Sequence, residues 1–190
     1  MTVALHHVAD GPADAPVLVL AGSLGSTVDM WRPQLAALAR KRRVIRVDLR
    51  GHGRSPAPDG DYRVAGLADD VRALLDRLGL GRVDWCGLSL GAMVGMHMAS
   101  ESPERIARLV LCCTSAHFPD PTLWHDRLAA VNDRGTVGIA AEVVARWFTP
   151  GWGRGASRRP GRGGGDGRRH VGGGYAVWPA PRRPRPSTLW

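Results

Sequence analysis

Lysine is almost missing from this 190-residue chain: of its 26 Lys and Arg side chains only Lys41 is a lysine. Cysteine is scarce too. Cys86, Cys112 and Cys113 lie in apolar, strand-like runs and two of them are adjacent, which is neither a disulfide framework nor a metal-ligand spacing. The expectation is a reducing, cytoplasmic setting, with no metal and no cofactor. No apolar run is long enough to span a bilayer. Residues 1–7 have neither the basic start nor the apolar stretch of a secretory signal, so no membrane partner is expected. Acidic residues are short over the whole chain, 17 against 26 bases, for a net charge of +9. That excess is local. Residues 1–150 hold 17 Lys and Arg against 16 Asp and Glu, whereas residues 151–190 hold nine Arg and one acid, Asp166. The basic character belongs to the tail, and the first 150 residues are close to neutral.

What is present suits one domain with a sizeable core. Residues 3–8 can form an opening strand, closed by Gly11-Pro12. Residues 17–20 are wholly apolar and run into a glycine-bearing loop, as a sheet covered on both faces requires. Residues 30–40 read as a helix with Trp31, Leu35 and Leu38 on one face, and residues 44–48 as the next strand. Val64, Leu67, Val71, Leu74, Leu75 and Leu78 recur at helical intervals, with Gly79 placed to end that helix. A buried strand from Val83 into the turn that begins at Gly87, a helix over 92–102, a stop at Pro103 and an apolar strand over 106–113 complete the alternation. It predicts an α/β class, with a mostly parallel sheet flanked by helices and right-handed crossovers. Two helices then follow without a strand between them, the first ending before Gly135 and the second over 137–148. They are expected to begin a helical cap from about residue 120. From Gly151 onward, 11 of 40 residues are Gly, nine Arg and five Pro, no periodicity survives, and a disordered tail over 151–190 is predicted.

The stretch with chemistry in it is Gly87-Leu88-Ser89-Leu90-Gly91, a G-x-S-x-G turn between strand and helix. Glycines flank such a serine because two backbone segments come very close at a strained strand-to-helix turn. Ser89 is the candidate nucleophile. The Leu90 N–H, at the head of the following helix, would be one oxyanion donor, and the N–H of Ser23 in the loop after residues 17–20 the other. The loop over 50–56 would line the site floor.

Val-Asp-Leu-Arg-Gly-His-Gly-Arg-Ser at 47–55, followed by Gly-Leu-Ser-Leu-Gly, resembles the α/β-hydrolase family. Ser-Leu-Gly at 23–25, Ser-Pro-Glu-Arg-Ile at 102–106 and Arg-Trp-Phe-Thr-Pro at 146–150 are more narrowly similar to its 3-oxoadipate enol-lactonases of aromatic catabolism. The similarity covers about residues 3–152. It implies hydrolysis of the enol-lactone to 3-oxoadipate through an acyl-Ser89 intermediate; another small ester or lactone hydrolase of this fold is the alternative. Trp124, Arg127, Arg146 and Trp147 on the cap helices would contact substrate, the two arginines meeting carboxylates through bidentate geometry. A reading of those arginines as solvated helix-face charges stays open. In the family the catalytic acid follows the seventh strand and the histidine the eighth, and both would fall beyond residue 152. The expectation is therefore an incomplete fold, its last strands missing through truncation or frame-shift, with impaired catalysis. His52 is structural in the family, His97 packs on a helix, His117 and His125 belong to the cap entrance and His170 to the tail, so none is assigned as a base. Three readings of the tail compete: a nucleic-acid-binding segment with interleaved aromatics, a linker, and a frame-shifted translation of GC-rich DNA. The irregular Arg-Gly spacing and the neutral attached domain count against the first, and the last is favoured because a single lysine and an Ala-, Arg- and Gly-rich chain fit GC-rich DNA, whose shifted frame yields mostly Gly, Arg, Pro, Ala and Trp. The strand over 106–113 is expected to leave an open edge through which copies could associate.

Overall fold

A computed structural model describes residues 1–117, 120 and 122–149, apart from the side chain of Leu123. The tail assigned to 151–190, with His170, lies outside them. Five strands form one sheet in the order β1-β3-β2-β4-β5: β1 (His7–Asp10), β2 (Val17–Ala21), β3 (Arg43–Val47), β4 (Val83–Leu88) and β5 (Ile106–Cys112). β1 runs antiparallel to β3, and all other neighbours are parallel. The mostly parallel α/β sheet is thus as expected.

The apolar strands divide their side chains between two helical layers, because successive residues of a strand point to opposite faces. Val19, Ile45 and Trp85 enter a core with Val71, Leu74 and Leu75 of α2 (Val64–Arg77) and Val94 and Met98 of α3 (Leu90–Glu101). The alternate residues Leu20, Val44 and Cys86 pack with Trp31 and with Leu35 and Leu38 of α1 (Arg32–Leu38) on the other face. Each large apolar side chain fully buried in this way contributes about 1.5–3 kcal/mol.

Two boundaries differ from the sequence reading. The first strand lies at His7–Asp10 rather than 3–8, because the preceding residues are committed elsewhere. The Val3 N–H donates to Asp70 Oδ1 (2.8 Å), and the His6 N–H donates to Ser55 Oγ (2.9 Å). The helix read over 30–40 is a short 3₁₀ turn, Val28–Trp31, capped by Thr27, then α1, which carries Pro33 in its first turn.

β5 pairs only with β4 among the described residues, and its Val110 and Leu111 are 50% and 41% exposed. Leu109, read with them as part of the open edge, is half-buried and packs against the α2–α3 core. α4 (Thr122–Ala145) is two helices broken at Gly135 (φ 69°, ψ 173°), where the sequence reading placed the break. Ile139, Val143 and Val144 of its second half pack against Ala130 and Val131 of its first. Among the described residues no helix is long and apolar enough to cross a membrane.

Candidate active site

Ser89 sits between the end of β4 and the start of α3 with φ 52° and ψ −110°, in the left-handed region that a residue with a Cβ rarely occupies. Such a conformation costs on the order of 1–3 kcal/mol and persists only where the surroundings over-determine it. Here they do. The Ser89 N–H donates to the Cys112 carbonyl at the end of β5 (2.9 Å). The Ser89 carbonyl accepts from the N–H groups of Ala92 and Met93 (3.0 Å each) and from Thr114 Oγ1 (3.1 Å).

The flanking glycines are required by close approach. A Cβ on Gly87 would be driven into the Gly91 carbonyl and the Ala92 nitrogen, and one on Gly91 into the Ala21 carbonyl. The Gly91 N–H donates to the Gly22 carbonyl (3.0 Å), which draws the loop after β2, with Ser23, beside the elbow. Trp85, fully buried, donates its Nε1–H to the Gly91 carbonyl (3.1 Å) and braces the turn from below. Leu90 is the first residue of α3, so its N–H has no acceptor within the helix. Ser23, Ser89 and Leu90 are all half-buried. The three elements thus meet at the carboxyl ends of β2 and β4, where open α/β sheets place their sites.

The loop over 50–56 is organised by Asp48, a residue the sequence reading did not single out. Asp48 is 1% exposed; its carboxylate accepts from the Val28 N–H (2.7 Å) and the Arg54 N–H (3.0 Å) and meets His6 Nδ1 at 2.9 Å. Ser55 Oγ donates to the Asp48 carbonyl (2.6 Å), and the Gly51 N–H donates to the Pro56 carbonyl (2.9 Å). These groups bond one another, so the loop is a rigid support. The Val-Asp-Leu-Arg-Gly-His-Gly-Arg-Ser run carried the signal for it. His52 is buried, with Nδ1 2.9 Å from the Arg50 carbonyl, and burial pushes its pKa below the ordinary imidazole value of 6.5. Arg50 grips the fully buried Asp70 through two bonds of 2.7 Å, and that pairing raises its pKa.

No hydrogen bond reaches Ser89 Oγ among the described residues. His97 is half-buried on α3, and His117 and His125 are exposed. In α4 the Arg127 guanidinium lies over the Trp124 ring, 5.1 Å from its centroid. Arg146 and Trp147 follow the last turn of α4, and both are exposed. The structure therefore brings Ser23, Ser89 and Leu90 together at the elbow and pairs Trp124 with Arg127 in the first half of α4.

A central parallel strand that delivers a left-handed serine to the head of a helix defines a doubly wound α/β protein with a sharp strand-to-helix elbow. The chain belongs to the α/β-hydrolase fold family, whose family model matches residues 15–161. It is similar to 3-oxoadipate enol-lactonase 2 of Acinetobacter baylyi, 39% identical over 150 residues, which are 79% of this chain and 56% of that protein. It is also similar to 3-oxoadipate enol-lactonase 1 of the same species, 31% identical over 140 residues, 74% of this chain and 52% of that protein. Among solved structures, the enol-lactonase from Burkholderia xenovorans LB400 superposes with a TM-score of 0.83 at 35% identity, covering 93% of this chain and 65% of that one. The chain spans about half the length of the curated relatives it matches.

Proposed function

We propose that the protein hydrolyses 3-oxoadipate enol-lactone to 3-oxoadipate through Ser89. The observation that supports this is the left-handed Ser89 presented at the head of α3, together with enol-lactonases among the relatives. Ser89 Oγ attacks the lactone carbonyl while the N–H groups of Leu90 and Ser23 hold the oxyanion; the ring C–O bond breaks, the enol oxygen takes a proton, and water releases the acyl group from Ser89. Arg127, oriented over Trp124, and Arg146 beside Trp147 meet the free carboxylate of the substrate.

A serine hydroxyl without a base is a weak nucleophile, and no histidine or carboxylate among the described residues bonds Ser89 Oγ. These 190 residues should therefore turn substrate over slowly on their own. Joining them to the C-terminal part of the Acinetobacter baylyi enol-lactonase 2 should raise turnover by several orders of magnitude, and Ser89→Ala should remove that gain. Turnover that survives Ser89→Ala would overturn the mechanism. A fusion that cleaves aryl esters but leaves the enol-lactone intact would retain the nucleophile and overturn the substrate.

A further inference from the structure

At the end of the sheet away from Ser89, the starts of β2, β3, β4 and β5 converge on an open cavity of about 410 Å³. Pro16 and Val17 line it from β2, Arg42 from the residue ahead of β3, Arg82 and Asp84 from β4, and Arg108 from β5. These strands are parallel, so the cavity lies at their amino ends, about 16 Å of strand from the elbow. Its volume falls in the range of small-molecule sites, about 300–1,000 Å³.

Among the described residues Asp84 is the one acid that lines the cavity, and it is buried. Its Oδ2 accepts from Arg42 Nη1 (2.6 Å) and from Arg108 Nη1 (3.3 Å), Arg108 being its register partner on β5. One guanidinium neutralises the carboxylate and the second is surplus. Arg82 adds a third: it donates Nε–H to the Ile106 carbonyl (3.3 Å) and pairs with no carboxylate among the described residues. Three guanidiniums against one carboxylate leave an excess of two positive charges. The walls are held by backbone. Arg105 donates to the carbonyls of Gly81 (2.8 Å) and Leu80 (3.0 Å), which fixes the loop before Arg82, and the Arg43 N–H donates to the Pro16 carbonyl (3.1 Å) at the rim.

We propose that Arg42, Arg82 and Arg108 form a binding site for a small molecule that carries a phosphate group. A phosphate dianion matches the excess charge, and its three terminal oxygens offer acceptors to three guanidinium forks at once, where a planar carboxylate satisfies fewer. Asp84 holds Arg42 and Arg108 together before a ligand arrives, which lowers the cost of ordering them. Its own charge opposes the anion, so the affinity is modest. The site stands at the opposite end of β4 from Ser89, and the binding claim does not depend on what Ser89 hydrolyses.

The test is calorimetric titration of the whole chain at constant ionic strength with inorganic phosphate, glycerol 3-phosphate and succinate. One phosphate per chain is expected, with glycerol 3-phosphate bound at least as tightly and succinate more weakly. Arg82 and Arg108 are exposed, so Arg82→Gln and Arg108→Gln should fold, as far-UV spectra check, and each should weaken phosphate binding by about fivefold. Arg32→Gln removes an exposed guanidinium that pairs with Asp29 elsewhere, and should leave binding unchanged. Equal weakening in all three variants would assign the binding to general basic charge and overturn the site, as would unchanged binding in Arg82→Gln and Arg108→Gln. Succinate bound as tightly as phosphate would overturn the ligand class.

Discussion

At the elbow, Ser89 is fixed by four hydrogen bonds to its backbone, two glycines that admit no Cβ, and a tryptophan without exposure braced against the Gly91 carbonyl. In α4 the two halves are joined at Gly135 and hold one another through Ile139, Val143 and Val144, each of which keeps some exposure. The first region is over-determined, so that a residue in a costly conformation stays where it is. The second is a small satellite cluster that carries side chains such as Arg127 on an amphipathic scaffold. The lesson is that the two regions differ in how they are held: the elbow is fixed where backbone meets backbone, and α4 where side chains meet one another near solvent.

The sharpest way to break this contrast is to add one methyl group at the elbow. Gly91→Ala is expected to cost about 3 kcal/mol or more, since the new Cβ meets the Ala21 carbonyl, which has no rotamer to give. Gly66→Ala in α2, where a Cβ meets open space, should instead stabilise by about 0.5–1 kcal/mol. Urea unfolding of the two variants checks the pair, and a similar cost for both would mean the elbow is not clamped. In α4, Ile139→Ala removes one member of the small cluster and should cost about 2 kcal/mol, the lower end for such truncations. Its effect should register in amide exchange across residues 122–145 while exchange in β2 and β4 stays slow. Loss of protection in the sheet as well would show that the two regions unfold together.

The smallest effect separates the buried loop from both. His52 has its pKa lowered from 6.5 by burial, so below pH 6.5 the unfolded chain takes a proton that the folded chain resists. Its contribution is intact above pH 6.5, and stability should decline as pH falls through that value, by no more than about 1.4 kcal/mol per pH unit from this one group. Unfolding free energies from pH 7.5 to 5, compared with His52→Asn, check the sign. An equal decline in the variant would assign the slope to other groups.

Much of this was legible before any coordinates. The G-x-S-x-G spacing, the apolar run over 17–20 and the three- and four-residue rhythm of α2 each state a local physical requirement, and each is met where it was read. The break before Gly135 was visible because a glycine interrupts a helical pattern. Asp48 was not singled out, since a single aspartate at a strand end looks like any loop acid until Val28, Arg54 and His6 are brought around it. The position of β1 was missed for a related reason: residues 3–6 have strand-like composition, but the Ser55 hydroxyl and the Asp70 carboxylate claim their backbone first.

By itself, the order of residues determined the alternation of strand and helix and the glycine-flanked serine between two of them, because periodicity and the need for small neighbours are properties of adjacent positions. Only the tertiary structure decided that Gly22 would hold Gly91 and that Cys112 would hold Ser89. Those pairings arise from strand order and register, which bring together residues tens of positions apart and are set by how the whole sheet buries its two faces.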